Sequence, residues 1–273
     1  MTKIFIILRE LFVLLINSKI SLFTRLSFCC LYLFHFILIV LSNPKIKKTV
    51  FLNGKSFYYL GNHLNLLLDH IHINLNYFYP YYKHAAIILD VGAAFGDFPL
   101  IANFMNPSAK IYAIEPAKKN YEMLEKNCWN LPWVKTFNYA IGDKNQEVNF
   151  QYDEDFPEGS RVAAKKSRNN DIVQQITLDG FIISNKIRKI SLLKIDVEGF
   201  ELKVLRGAKK TLSISEAVII EIDISDLKYL IDVLNFLQQF HFSLVNFGSF
   251  NINQNTKIVG SLDFIFKKAN LKI

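Results

Sequence analysis

The sequence predicts an α/β domain, a parallel sheet with helices on both faces. Three observations carry that prediction. From Ala85 onward, short apolar runs alternate with segments of helical spacing, the rhythm that builds a parallel sheet through crossover helices. The first run opens into a glycine-bearing turn, GAAFG, Gly92 to Gly96. Finally, the runs end on carboxylates, although a strand built only for packing has little use for charge at its end.

Taken in order, IILDV (Ile87 to Val91) is the first strand, and the segment after its turn reads as a helix to about Met105. KIYAIEP supplies a second strand, Lys110 to Ile114, ending on Glu115. AKKNYEMLEKNCWN, Ala117 to Asn130, has helical spacing at Tyr121, Leu124 and Cys128. VKTFNYAIGD reads as one third strand with a Gly-Asp turn, and LLKID as a fourth that ends on Asp196. The segment after it, EGFELKVLRGAKKTL, reads as a helix, with Gly207 as a break or a close-packing position and Glu201 stabilising the dipole of its first turn. If these strands are parallel, Asp90, Glu115, Asp143 and Asp196 lie along one rim, where α/β sheets bind their ligands.

Each rim position has a chemical use. Gly92 and Gly96 allow a tight turn and close approach of a ligand to the amides of the next helix. Glu115, about twenty residues beyond the glycines, is placed to accept hydrogen bonds from the two hydroxyls of a ribose. Asp143, or the backbone at Ile141-Gly142, can address an adenine edge. The bland alternative for DVGAAFG alone is an ordinary strand-to-helix turn, and the further acids at successive strand ends count against it.

The 273-residue chain is 51% hydrophobic with a net charge of +8. That is enough apolar material for a sizeable core, with a basic balance that favours anionic partners without choosing among them. Its cysteines, Cys29, Cys30 and Cys128, form neither a disulfide framework nor a zinc pattern, so a reducing, cytoplasmic setting is the simpler reading. Residues 1–49 are a separate material. IFIILRELFVLLI is interrupted by Arg9 and Glu10, and LSFCCLYLFHFILIVL (Leu26 to Leu41) is flanked by basic residues on both sides. The second run falls short of the roughly 20 apolar residues of a comfortable span. Membrane association, by span or by surface, therefore stands level with a helix that packs on the domain. Residues 50–86 form a connecting region, whose Asn53-Gly54 and Leu60-Gly61-Asn62 turns suggest a hairpin or short strands first, then a helix from about Asn62 to Tyr77. His63, His70, His72 and His84 lack the spacing of metal ligands, and no metal is expected. Residues 87–273 are the main domain.

The motifs DVGAAFGDF, YAIEPAKKNYEMLEKN, NYAIGDKNQEVNF, ITLDGF and LLKIDVEGFELKVLRGAKKTL together resemble the FkbM family of S-adenosylmethionine-dependent methyltransferases, in order from about Ile87 to Glu221. KIDVEG-x-E followed by VLRGA is the most specific part. The resemblance implies a Rossmann-like, seven-stranded, mostly parallel sheet with an antiparallel last strand. AVIIEID (Ala217 to Asp223), FSLVNF (Phe242 to Phe247) and SLDFIFKK (Ser261 to Lys268) fit as its remaining strands. It implies S-adenosylmethionine as cofactor, held by Asp90, Gly92, Ala93, Phe95, Gly96, Glu115, Pro116, Ile141, Gly142, Asp143 and Asp196. It also implies a hydroxyl acceptor, often a sugar of a glycan or glycolipid, or a polyketide. One departure is visible: the family commonly carries Asn in the glycine turn where this chain has Ala94.

By the same resemblance, Asp196 reaches the sulfonium end of the cofactor, where it holds the cofactor's amino group or the acceptor. Glu198, followed by Gly199, is the expected proton acceptor, and Asp196 and Glu198 form the expected catalytic pair. The competing reading makes Glu198 a cap for the next helix. Lys194 alternates onto the same face as Asp196 and Glu198 and can offset their repulsion. The stretch from Gln151 to Gly180 reads as a long polar insert whose Gly159-Ser160-Arg161 and Lys165, Lys166 and Arg168 suit a basic lid, with a solvated charge run as the default. Basic residues without interleaved aromatics give no expectation of nucleic-acid binding. Two rival functions share the glycine turn: a nicotinamide-dependent oxidoreductase, and a non-catalytic scaffold on the methyltransferase fold.

Overall fold

The computed structural model describes residues 26, 30, 46–50, 56–60, 77–152, 161–162, 171–252 and 259–269. The chain divides into two compact units, Met1–Tyr79 and Pro80–Ile273. In the first, β1 (Ile46–Val50) and β2 (Ser56–Leu60) pair antiparallel with Val50 opposite Ser56, the hairpin that Asn53-Gly54 foretells. The apolar tail, apart from Leu26, Cys30 and the residues of β1, lies outside the described residues, and so does the helix expected over Asn62 to Tyr77 as far as Asn76. Among the described residues no helix is long and apolar enough to cross a membrane.

Helix α1 (Tyr79–Tyr82) precedes β3 (Ile87–Val91), α2 (Asp97–Met105), β4 (Lys110–Ile114), α3 (Lys118–Cys128) and β5 (Val134–Phe137). There follow β6 (Ala140–Gly142), β7 (Gln146–Gln151), β8 (Arg161–Val162), β9 (Asp171–Thr177) and α4 (Leu178–Ser184). The chain continues through β10 (Ile190–Ile195), α5 (Glu201–Arg206), α6 (Lys209–Ser213), β11 (Ser215–Asp223), α7 (Leu227–Gln239), β12 (Phe242–Ile252) and β13 (Val259–Lys268).

Seven strands form the main sheet in the order β12-β13-β11-β10-β3-β4-β5. β11, β10, β3, β4 and β5 run parallel, and β13 is antiparallel to both of its neighbours. Side chains alternate across it. One face sends Leu89, Val91, Ile114, Leu193, Ile195, Val218 and Ile220 into a core with Phe181 of α4, Leu205 of α5, Leu212 of α6 and Leu237 of α7. Phe181 meets the ring of Phe137 edge-on, with centroids 4.9 Å apart. The other face carries Asp90 and Lys194, and the Lys194 ammonium lies 5.7 Å from the ring of Phe98 in α2. The chain lays down β3, β4 and β5 in one direction, then returns to add β10 on the other side of β3. The crevice therefore falls between β3 and β10.

Three expectations change. VKTFNYAIGD is two strands, because Asn138 breaks out to donate its amide to the carbonyls of Glu115 and Pro116, at 2.8 and 2.9 Å. β6 then joins a second sheet, ordered β6-β9-β7-β8. The polar insert is accordingly built into that sheet where it is described; Gly159, Ser160, Lys165, Lys166 and Arg168 lie outside the described residues. The single helix expected after Asp196 is α5 and α6, broken at Gly207-Ala208.

Candidate active site

The register of the sheet builds the site. Val91 is paired with Ile114 on one side and Ile195 on the other, and Ile195 with Ile220. One residue further along, Glu115, Gly92, Asp196 and Glu221 fall level, and Glu221 is paired with Asp263 of β13. Adjacent strands are about 4.8 Å apart, so this is one continuous row across β4, β3, β10, β11 and β13. Two residues back on the same face, Ala113, Asp90, Lys194, Ile219 and Ile265 form the row beneath.

Gly92 has φ 86°, and a Cβ built there would lie 1.7 Å from the carbonyl oxygen of Asp196. No other residue type fits this position. The amides of Gly92 and Ala93 both donate to the carbonyl of Ile114, Ala93 and Phe95 are buried, and Asn127 donates to the Phe95 carbonyl at 2.7 Å. Gly96 caps α2 in the left-handed region against Leu124.

Glu115 is buried and grips the turn. Oε2 accepts from the amide of Ala94 at 3.0 Å, and Oε1 from the amide of Ala117 at 2.8 Å. Burial pushes its carboxyl up to about 8, against the pull of those amides. Asp90 is fully buried, and neither of its oxygens has a hydrogen-bond partner. Its nearest counter-charge is Lys194 Nζ at 3.7 Å, an ion pair too long to be a hydrogen bond. Desolvation raises Asp90 to about 7, even though Lys194 opposes the shift. Lys194 Nζ donates to Asp196 Oδ2 at 2.9 Å. Burial alone would lower the lysine, but Asp196 and Asp90 more than offset it, and the ammonium is held above its ordinary range.

Beyond the row the chain turns sharply. Glu198 is exposed at φ 52° and Gly199 lies at φ 87°. The turn is held by Glu201, whose Oε1 accepts from the Gly199 amide at 2.8 Å while Oε2 accepts from the Tyr229 hydroxyl at 2.7 Å. Glu201 is thus a buried brace for the turn, as well as an acid in the first turn of α5.

The structure therefore gathers Asp90, Gly92, Glu115 and Asp196 at one crevice, with Ala93, Phe95, Gly96 and Pro116 in the flanking turns. It does not place Ile141, Gly142 and Asp143 on the same sheet: Ile141 and Gly142 end β6 of the second sheet, and Asp143, which follows it, is exposed. The expected rim of four carboxylates is three on the main sheet. Two acids not singled out from the sequence, Glu221 and Asp263, extend it instead. Their signal was the one that marked Asp196, a carboxylate inside an otherwise apolar run, in AVIIEID and SLDFIFKK. Among the described residues no cluster of His, Cys, Asp or Glu is arranged to hold a metal.

A seven-stranded sheet of this order, with β13 reversed and its crevice beside a glycine turn, is the class I methyltransferase architecture. A family model described as the methyltransferase FkbM domain matches residues 90–244, more than half of the chain. The chain belongs to the FkbM family of S-adenosylmethionine-dependent methyltransferases. Among curated relatives, it is 28% identical over 138 residues to the hexuronic acid methyltransferase AglP of Haloferax volcanii, covering 50% of this chain and 55% of that protein. It is 29% identical over 157 residues to the methyltransferase sdnD of Sordaria araneosa, covering 44% and 59%. The chain thus spans little more than half the length of these relatives. Of solved structures, the Methanococcus jannaschii fibrillarin pre-rRNA processing protein aligns with TM-score 0.47 at 12% identity, over 83% of this chain and 95% of that one. Aeropyrum pernix fibrillarin with S-adenosyl-L-methionine aligns with TM-score 0.45 at 11% identity, over 81% and 94%.

The residues present fit the cofactor. S-adenosylmethionine carries a sulfonium and an ammonium, and the crevice answers with carboxylates on both sides of Gly92. Behind them stands Asp90, a buried acid with no hydrogen-bond partner of its own. Gly92 keeps the centre of the row free of a side chain.

Proposed function

We propose that the protein is an O-methyltransferase that transfers the methyl group of S-adenosylmethionine to a hydroxyl of a sugar in a glycan or glycolipid. The observation that carries this reading is the row Glu115-Gly92-Asp196, centred on a glycine at the switch point of the sheet. Glu115 stands on the ribose side and Asp196 on the side of the amino group and acceptor. Asp90, Ala93, Phe95, Gly96 and Pro116 shape the cofactor's bed. Ile141, Gly142 and Asp143 reach the adenine edge from the second sheet. The sugar class draws support from the hexuronic acid specificity in the name of the Haloferax relative.

The bound cofactor supplies an electrophilic methyl. The chain must align an oxygen with it and relieve that oxygen of its proton. Alignment of the reactants removes most of the entropic barrier, and a carboxylate within reach of the hydroxyl adds about 10²- to 10⁴-fold. Asp196, held by Lys194, and Glu198, projecting from the turn beyond it, are the carboxylates on the acceptor side. Glu198 is the proton acceptor of this reading.

Calorimetry with S-adenosylhomocysteine and with NAD tests the cofactor, and binding of NAD alone would refute the proposal. Labelled methyl transfer from S-adenosylmethionine into fractionated cell extract tests the reaction. The wild type labels a saccharide-containing fraction, and Glu198→Ala lowers the rate at least about tenfold. Unchanged incorporation by that variant would remove Glu198 from the chemistry.

A further inference from the structure

The main sheet has a second pole, where its parallel strands begin. Register locates it: Ile87 of β3 is paired with Lys110 of β4, Ile190 of β10 with Ser215 of β11, and Ala217 of β11 with Lys267 of β13. Trp133 enters β5 at the same level, its carbonyl accepting from the amide of Ile111. The crevice lies at the far end of the strands, roughly 17 Å away for the five residues of β3 at about 3.3 Å each.

This pole is basic. Lys83, Lys110, Lys186, Arg188, Lys189 and Lys267 are exposed on it. Set against them is Glu216, which pairs with Lys189 at 2.7 Å. Glu125, one turn before the end of α3, already accepts from the Tyr121 hydroxyl at 2.9 Å. Between Lys83, His84, Ser108 and Lys110 the surface opens into a cavity of about 540 Å³ with no acid in its lining, a volume within the range of small-ligand sites. Cations around such a hollow suit a phosphate headgroup.

The same pole exposes large apolar side chains. Both tryptophans of the chain lie on it, Trp129 82% and Trp133 49% exposed, and Ile183 at the end of α4 is 61% exposed. Trp129 and Trp133 bracket the loop between α3 and β5, and Lys110 Nζ lies 5.7 Å from the centre of the Trp133 ring. Indoles beside lysines are the composition of a membrane interface: the ring settles at headgroup level while the cations meet anionic phosphates. A nucleic acid would take the cations and stack on the rings, but would leave Ile183 in water. A bilayer uses all three.

We infer that this pole docks the domain onto an anionic lipid bilayer, with Trp129, Trp133 and Ile183 entering the headgroup layer and the lysines and Arg188 meeting lipid phosphates. The crevice then faces away from the surface and stays open to its acceptor. Docking of this kind needs no spanning helix. None of these residues belongs to the crevice, so the docking stands apart from the reaction. The chain also carries apolar runs flanked by basic residues within residues 1–49, and that stretch contains no tryptophan.

Tryptophan fluorescence of the full chain therefore reports contact at the pole and is blind to contact through residues 1–49. The chain is titrated with vesicles of phosphatidylcholine alone, with vesicles of phosphatidylcholine mixed with an equal part of phosphatidylglycerol, and with a single-stranded RNA oligonucleotide. The anionic vesicles shift the emission to the blue and co-sediment with the chain, and salt weakens both effects. Each Lys or Arg near such a surface contributes about fivefold in affinity, so Lys186→Gln/Arg188→Gln binds about 25-fold more weakly, and Lys83→Gln/Lys110→Gln does the same from the cavity side. Trp129→Ala, read by co-sedimentation, lowers affinity about tenfold. Melting temperature is unchanged in all three, since every side chain replaced is exposed. No binding, equal binding of both vesicle compositions, or variants that bind like the wild type overturns the docking face. Binding without a shift in emission places the contact at residues 1–49 and overturns it too. An emission shift with RNA at lower concentration than with anionic vesicles, lost in Lys186→Gln/Arg188→Gln, overturns it in favour of a nucleic-acid surface.

Discussion

Ala94 stands at φ 43°, in the left-handed region where a Cβ crowds the following carbonyl at roughly 1–2 kcal/mol. It is held there because its amide is needed: Glu115 Oε2 accepts from it at 3.0 Å, tying the glycine turn to the end of β4. Asn, which the family commonly places here, tolerates this region far better than Ala. Ala94→Asn should therefore stabilise the protein by about 0.5–1 kcal/mol, seen as a higher urea midpoint at constant slope. A lower midpoint would show that the backbone strain is not the controlling term. The acids at this scale were legible because charge at the end of an apolar strand is conspicuous. Asp90, Glu115 and Asp196 stood out on that ground. Glu221 and Asp263 offered the same signal but sit inside runs that read fully as strands, and only their register against Asp196 shows what they face. What each acid does with its oxygens was beyond reach of spacing: Glu115 accepts from the amide of Ala94 in the glycine turn and from that of Ala117 at the start of α3, while Asp90 makes no hydrogen bond.

Between elements, a second tight point besides Gly92 is Gly207, at the end of α5. A Cβ there would lie 2.0 Å from the carbonyl oxygen of Gly142, the last residue of β6. The Gly207 carbonyl in turn accepts from the amide of Asp179 at the start of α4. A backbone carbonyl cannot yield as a flexible side chain can, so Gly207→Ala must push the second sheet off α5. The expected cost is about 2–3 kcal/mol, the upper part of the range for overpacking, read as a urea-midpoint shift; a loss below about 0.5 kcal/mol would mean that β6 moves freely. The strands of the main sheet were visible in the sequence because each is a short apolar run with a turn after it. The second sheet was not. Its strands carry exposed and half-buried positions, as in β7 and β9, and the break between β5 and β6 depends on one side chain, Asn138, reaching carbonyls more than twenty positions away. Such a tertiary contact leaves no local period to detect.

Over the whole molecule the net charge is +8, yet the row at the switch point is built chiefly from carboxyl groups. The overall balance says little about the site, because the site is set by which strands are neighbours. The buried acids also give the fold a pH dependence of definite sign. Asp90 and Glu115 have ordinary values of 3.8 and 4.5 and native values of about 7 and about 8. Between those limits the unfolded chain has released both protons and the native protein still holds them. Native protein therefore binds more protons, and stability falls as pH rises through the window. The share of these two groups is fully present below about 4 and lost by about 8. Each contributes a slope of at most about 1.4 kcal/mol per pH unit. Lys194, raised above an already high ordinary value, changes charge outside this range and leaves the slope alone. Asp90→Asn removes one of the two titrations without removing a hydrogen bond from either oxygen, since neither has one. Urea denaturation of the wild type from pH 5 to pH 8 should show a falling free energy of unfolding, and the Asp90→Asn variant a shallower fall over the same interval. A wild-type curve that rises, or a variant curve parallel to it, would mean that Asp90 is ionised in the native crevice and already balanced by Lys194.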